Sequence, residues 1–207
     1  MPAIVDMDPR DILVLPVAKA VAVPWRNGGG VTRELLAWPD SKDWALRVSV
    51  ADVAASGPFS DFPGVDRWFA VLSGGAVQLS TAGTAPRELS AVCETLHAFA
   101  GDKPTHCTMQ GGATRDFNLM VRRDRARIWQ QPVRNSPVLA TRAQGAGLFV
   151  TAPVTLQEDG GAALSVPAMA LVWCPNPQRS LRRLRVNPAD TVRGWWFEVE
   201  TDLTRAS

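Results

Sequence analysis

Apolar residues recur with a period of two through almost every ordered-looking stretch of this chain, and none keeps a convincing 3.6-residue period. That pattern confines the fold to strands. In Trp44–Ala51, Trp44, Leu46, Val48 and Val50 share one face, while Arg47 and Ser49 share the other with Ala45 and Ala51. Arg67–Leu72 is apolar on both faces, as a strand covered on both sides would be. Arg115–Arg122 separates Phe117, Leu119 and Val121 from Asp116, Asn118, Met120 and Arg122. Further strands are expected at Ile12–Leu15, Thr32–Trp38, Ala76–Ser80, Leu96–Phe99, His106–Met109, Leu148–Leu156, Ala163–Val166, Ala170–Trp173 and Trp195–Glu200. Glycine- and proline-rich turn signals separate them: Gly28–Gly30, Ser56–Pro58, Phe62–Gly64, Ser73–Gly75, Gly111–Gly112 and Glu158–Gly161. Short strands about ten residues apart read as an all-β sandwich or barrel, with one short helical turn within Gln178–Arg185 as the exception. The charged, proline-bearing stretch Arg122–Asn135 is the expected seam, giving domains 1–125 and 126–207.

Composition narrows the function. At 207 residues and 46% hydrophobic, the chain can bury a sizeable core, which excludes disorder. No window approaches the roughly 18 apolar residues of a membrane span. The N-terminal segment lacks a basic leader and is interrupted by Pro16, so a cytoplasmic protein is expected. Cys93, Cys107 and Cys174 are widely spaced, which fits neither a disulfide framework nor a zinc knuckle. Tyrosine is absent and there are two histidines, His97 and His106, with no H-x-H pair. A metal site built from those two histidines and a carboxylate remains the alternative, although Asp102 falls in a turn. The arginine runs Arg122–Arg127 and Arg182–Arg185 carry interleaved acid or stand alone, and net charge is only +2, so nucleic acid is not an expected partner. Gly28–Gly30 lacks the G-K-[ST] of a phosphate loop.

The remaining chemistry concentrates in five stretches: Trp25–Glu34 (WRNGGGVTRE), Trp44–Ala51, Gly57–Arg67 (GPFSDFPGVDR), Phe99–Asp102 and Arg115–Arg123 (RDFNLMVRR). In this order they resemble the HutD/Ves family, whose pattern reads W-[KR]-N-G-G-G-x-T-R-E, W-x-x-R-x-S-x-A-x-V, G-P-F-S-x-F-P-G-x-D-R, F-x-G-D and R-D-F-N-x-M-x-R-R. The resemblance covers about half of the chain, from Trp25 to Arg123.

It implies two cupin-like (RmlC-like jelly-roll) β-barrels packed together as a bicupin, without the usual cupin metal ligands. It further implies a non-enzymatic binder of a small acidic metabolite, with N-formylglutamate the suspected ligand, acting in histidine utilisation. No cofactor or metal is expected, and a homodimer is left open. The alternative is a cupin-fold enzyme (an isomerase, a hydrolase or an irregular-site metal enzyme) acting on a similar acid.

A dicarboxylate needs guanidinium forks and neutral hydrogen-bond partners. Arg33, Arg47 and Arg67 are the candidate forks, Asn27, Ser49 and Asn118 the neutral partners, and Trp25 an apolar wall. Ion pairing with Glu34, Asp61, Asp66 or Asp116 is the competing reading for each arginine. Asp66-Arg67 and Arg115-Asp116 look like braces, and Arg47 with Ser49 is the expected heart of the site. Trp44, Trp68 and Phe117 are the expected aromatic core.

Overall fold

A computed structural model describes residues 12–133, 143–158, 163–175, 184–188 and 193–201. Among them are sixteen strands and a single 3₁₀ turn, Val17–Lys19, and no helix long and apolar enough to cross a membrane. The strands are β1 (Leu13–Pro16), β2 (Ala22–Pro24), β3 (Gly30–Trp38), β4 (Leu46–Val53), β5 (Gly57–Pro58), β6 (Val65–Thr81), β7 (Arg87–Leu89) and β8 (His97–Ala100). They continue as β9 (Thr105–Arg122), β10 (Ala126–Pro132), β11 (Gly145–Val150), β12 (Val154–Glu158), β13 (Ala163–Val166), β14 (Ala170–Cys174), β15 (Leu184–Asn187) and β16 (Gly194–Thr201). The helical turn expected within 178–185 falls outside the described residues except at Leu184 and Arg185, which are in β15. The tip of the Glu158–Gly161 turn likewise falls outside them.

The chain divides into two compact units, Ala20–Arg127 and the combination of Met1–Lys19 with Ile128–Ser207. A single cut at 125/126 does not describe this division. β1, expected in the first half, pairs antiparallel with β14, matching Leu13 to Trp173 and Pro16 to Ala170.

In the terminal unit, one sheet runs β1-β14-β11-β16-β10 and a second β13-β12-β15. β11 and β14 are buried at every position, the mark of strands covered on both faces. Leu148, Val150, Val172 and Trp196 enter one apolar cluster with Val154, Leu156 and Val166. On alternate positions, Phe149 stacks with Trp195 at 6.4 Å and Trp173 with Phe197 at 6.3 Å.

The 20–127 unit is one sheet, β2-β3-β4-β9-β6-β7, with β5 added to β9 and β8 to β6. Its order is open at the three-residue strands β2 and β7, so the closed barrel expected from the sequence is replaced by an open sheet. Two of its strands run to 17 and 18 residues, and the turn signals had split each of them in two. Ser73–Gly75 is a pair of register shifts inside β6, and Gly111–Gly112 lies inside β9. Gly74, at φ 94°, allows this, because a Cβ there would lie 2.1 Å from the Ala113 carbonyl oxygen.

The aromatic core also differs from expectation. Phe117 is fully buried, but Trp44 and Trp68 are only partly so, and Phe69 takes the interior position instead. The alternation around Trp68 is the reason: β6 turns Val65, Arg67 and Phe69 inward and leaves Asp66 and Trp68 half-covered. Phe117→Ala is therefore expected to cost about 3–5 kcal/mol in urea unfolding, and Trp68→Ala clearly less. Equal losses would reverse the assignment.

Candidate functional site

Register in the 20–127 unit sorts the predicted residues between two sheet faces. β4 pairs with β9, placing Arg47 opposite Met120, Ser49 opposite Asn118 and Ala51 opposite Asp116. β9 pairs with β6, placing Met120 opposite Arg67, Asn118 opposite Phe69 and Asp116 opposite Val71. β8 extends the rows, with Phe99 opposite Arg67 and His97 opposite Phe69. Directly paired residues point to the same side. Arg47, Ser49, Arg67, Asn118 and Asp116 therefore share one face, together with the apolar cluster of Phe69, Val71, Val77, Leu79, Leu89 and Cys107.

Arg67 is the unusual group. It is 7% exposed, and no carboxylate among the described residues pairs with it. Its Nη2 donates to Asn118 Oδ1 at 3.0 Å and its Nη1 to the Ser60 carbonyl at 3.4 Å, while Nε is buried without a partner. Three rings surround the guanidinium: Phe99 at 4.9 Å, Phe59 at 5.1 Å and Phe62 at 5.5 Å from ring centre to Cζ. These faces offer cation–π attraction and keep water away. Burial, and secondarily the like charge of Arg47, pushes the Arg67 pKa down to about 10.

Arg47 shares its row and is better satisfied, its Nε donating to Glu34 Oε2 at 2.6 Å. No described residue pairs with its two Nη groups. Ser49 is 4% and Asn118 8% exposed, lining the next row. Trp25 also belongs to this face: its indole N–H donates to Thr32 Oγ1 at 2.7 Å, and Thr32 pairs with Ala51. Gly30 is required beneath it, since a Cβ there would come within 3.3 Å of the ring and 2.5 Å of the Asp52 carbonyl.

Two predicted residues lie elsewhere. Arg33 is on the opposite face, sharing Asp52 with Arg115, whose Nε lies 2.6 Å from Asp52 Oδ1. Those hydrogen bonds, Arg115's first, hold the Asp52 carboxyl below its usual range. Asn27 is exposed and its Oδ1 accepts the Gly29 N–H at 3.0 Å, an Asx turn that shapes the glycine loop.

The expected braces divide in the same way. Asp66 and Arg115 are structural: Arg123 bridges Asp66 at 2.7 Å and also Asp102, and donates its backbone N–H to the Gly64 carbonyl at 2.9 Å. This joins the F-P-G-x-D, G-D and R-R motifs into one clamp. Arg67 and Asp116, expected as their partners, are left out of it. Asp116 is completely buried; Thr114 donates to its Oδ2 at 2.9 Å, and its Oδ1 has no partner among the described residues. Burial pushes its pKa up to about 7, opposed by the Thr114 hydrogen bond.

Sequence reasoning named Glu34 as an arginine partner, which it is for Arg47, and missed the three phenylalanines around Arg67. The signal was present in the shared parity of Arg67 and Phe69 and in the phenylalanines of the G-P-F-S-x-F-P-G and F-x-G-D motifs. The two histidines do not converge. His97 shares the Arg67 face and stacks on Phe99 at 5.9 Å, whereas His106 is exposed and alternates with buried Thr105 and Cys107. No grouping of three or more His, Cys, Asp or Glu suited to a metal occurs among the described residues.

The fold and this face together define an all-β protein with a buried, acid-free arginine in one sheet. The HutD family model matches residues 18–190, and the chain belongs to that family. It is 39% identical over 127 residues to Protein Ves of Cronobacter sakazakii, covering 61% of this chain and 68% of that protein. It is also 39% identical over 112 residues to an uncharacterised 21.2 kDa protein in the hutC 3' region of Pseudomonas putida, covering 51% and 57%. HutD from Pseudomonas fluorescens SBW25, solved in a formate condition, superposes with a TM-score of 0.76 at 28% identity, covering 92% of this chain and 99% of that one.

Proposed function

We propose that the 20–127 unit is a non-enzymatic binding module for a small acidic metabolite, held by Arg67 and Arg47, and that the two units are cupin-like. One observation carries this reading: a buried guanidinium ringed by three phenylalanines and lacking an acid. Burying an uncompensated charge costs several kcal/mol, so such a group persists where a partner arrives from outside. A carboxylate is the complementary anion, because the guanidinium fork matches its two oxygens. Ser49 and Asn118 supply neutral hydrogen bonds beside it, and Trp25 an apolar wall. Family membership and the hutC 3' region of the P. putida relative support a role in histidine utilisation, and we propose that this role is cytoplasmic, with N-formylglutamate as the ligand.

Calorimetric titration of N-formylglutamate, glutamate and urocanate tests the reading. Arg47→Ala is expected to weaken N-formylglutamate binding by about 1.5–3 kcal/mol, the worth of a charge-assisted hydrogen bond. Arg47→Lys keeps the charge without the fork and should fall between that variant and wild type. Equal affinity in all three proteins would make Arg47 a brace for Glu34 alone.

A further inference from the structure

The buried carboxyl of Asp116 has no part in the clamp of ion pairs and no role yet in holding an acid. It lies on the same face as Ser49 and Asn118, one row beyond Asn118 along β9. Two residues along a strand span about 7 Å, and Arg67 already reaches back to Asn118 with its Nη2. The free Oδ1 is therefore placed about one short ligand's length from the guanidinium. We propose that Asp116 is the second anchor of this site, its Oδ1 hydrogen-bonding an acceptor oxygen at the far end of a short acid whose carboxylate Arg67 and Arg47 hold. This rests on the binding reading above and narrows its ligand. A second oxygen group must stand about three or four carbons from the first, as in a five-carbon diacid or its N-acyl amino-acid relatives.

The hydrogen bond needs a proton on Asp116. Thr114 already donates to Oδ2, so the proton belongs on Oδ1, the oxygen that no described residue satisfies. The groups around it agree. Val71 on β6 and Ala51 on β4 face it directly and are apolar, and Thr32 of β3 is neutral. Cys107 of β9 is a thiol pushed up to about 12 by burial, so it stays neutral. Asp52, on the other face of β4, carries negative charge that favours the protonated form. Arg47, Arg67 and Glu34 lie further along the sheet, and His97 sits in the Asn118 row, its pKa lowered by burial. With the Asp116 pKa at about 7, an anionic ligand binds together with a proton whenever the solution is more alkaline than that.

The test is calorimetric titration of N-formylglutamate and of propionate, an acid with no second acceptor, between pH 6 and pH 8.5. Neither probe changes charge in that range, and burial moves the His97 transition downwards, away from its alkaline end. Wild-type affinity for N-formylglutamate is expected to fall about thirtyfold from pH 6 to pH 8.5. Repeating the titration in buffers of different ionisation enthalpy should show uptake approaching one proton at pH 8.5. Asp116→Asn, whose amide donates at every pH, should lose the dependence and bind more tightly than wild type at pH 8.5. Propionate should bind both proteins without pH dependence. If wild type binds N-formylglutamate equally at all pH values, still through Arg67, the Asp116 anchor is wrong and the arginine site stands. If neither acid binds at any pH, both readings fall.

Discussion

Replacing Arg67 with methionine is expected to abolish carboxylate binding while leaving the unliganded protein as stable as wild type or more so. The two halves of this result have one cause. At neutral pH the guanidinium is charged in both the folded and unfolded chain, but folding strips it of water, which its pKa of about 10, well below the usual guanidinium range, records. The depressed value is a penalty fully present below pH 10, worth about 3 kcal/mol at 1.36 kcal/mol per unit. Methionine fills much of the same volume among Phe59, Phe62 and Phe99 without that cost. Against this gain stand the lost ring contacts and the Asn118 Oδ1 left without its donor, worth about 1–3 kcal/mol. Urea unfolding without ligand should therefore show a midpoint unchanged or raised, and titration of the same protein with N-formylglutamate should show no heat of binding. A marked loss of stability would make Arg67 a structural strut and move the site elsewhere. A trade of stability against binding is what a residue retained for its ligand should display.

Much of this arrangement was legible in the sequence because side-chain parity in a strand is fixed locally. The alternation of Arg47 and Ser49 against Leu46, Val48 and Val50 survives unchanged in β4. Parity says which residues share a face within one strand but not which faces meet across strands. That depends on register, so Arg33 could not be separated from Arg47 until β3 was paired with β4. There Arg33 falls opposite Val50 and turns towards Asp52. The glycine pairs misled for a related reason. A glycine with positive φ serves a tight turn or a bulge equally well, and only pairing shows that Gly74 and Gly111 lie within continuous strands. Burial was misjudged where a residue's type argued against its parity. Trp68 looked like core and Arg67 like half of a brace with Asp66, yet alternation from Phe69 turns Arg67 inward and leaves Trp68 half-covered.

Asp116 should also leave its mark on stability against pH, apart from any ligand. Its carboxyl titrates near 7 in the folded protein, mainly because burial disfavours the charged form, and at about 3.8 in the unfolded chain. Between those values the folded state holds a proton that the unfolded state has released. Stability contributed by this group is therefore full below about pH 4, falls as pH rises, and is lost above about pH 7. Roughly three units at 1.36 kcal/mol each make the loss about 4 kcal/mol. Other groups act in the opposite sense or in another window. His97, with its pKa lowered by burial, adds stability as pH rises through the unfolded histidine value. Asp52, lowered first by its Arg115 hydrogen bond, acts below the window. Subtracting the Asp116→Asn profile from that of wild type removes these shared contributions. The variant's midpoint in urea, measured every half unit from pH 4 to pH 8, should gain on wild type steadily up to about pH 7 and then run parallel to it. The asparagine leaves one polar atom unpaired where wild type leaves Oδ1, so the slope of the difference, rather than its absolute level, reads the titration. Parallel profiles throughout would mean that Asp116 is ionised in the folded protein at neutral pH, with a cation or water satisfying its free oxygen.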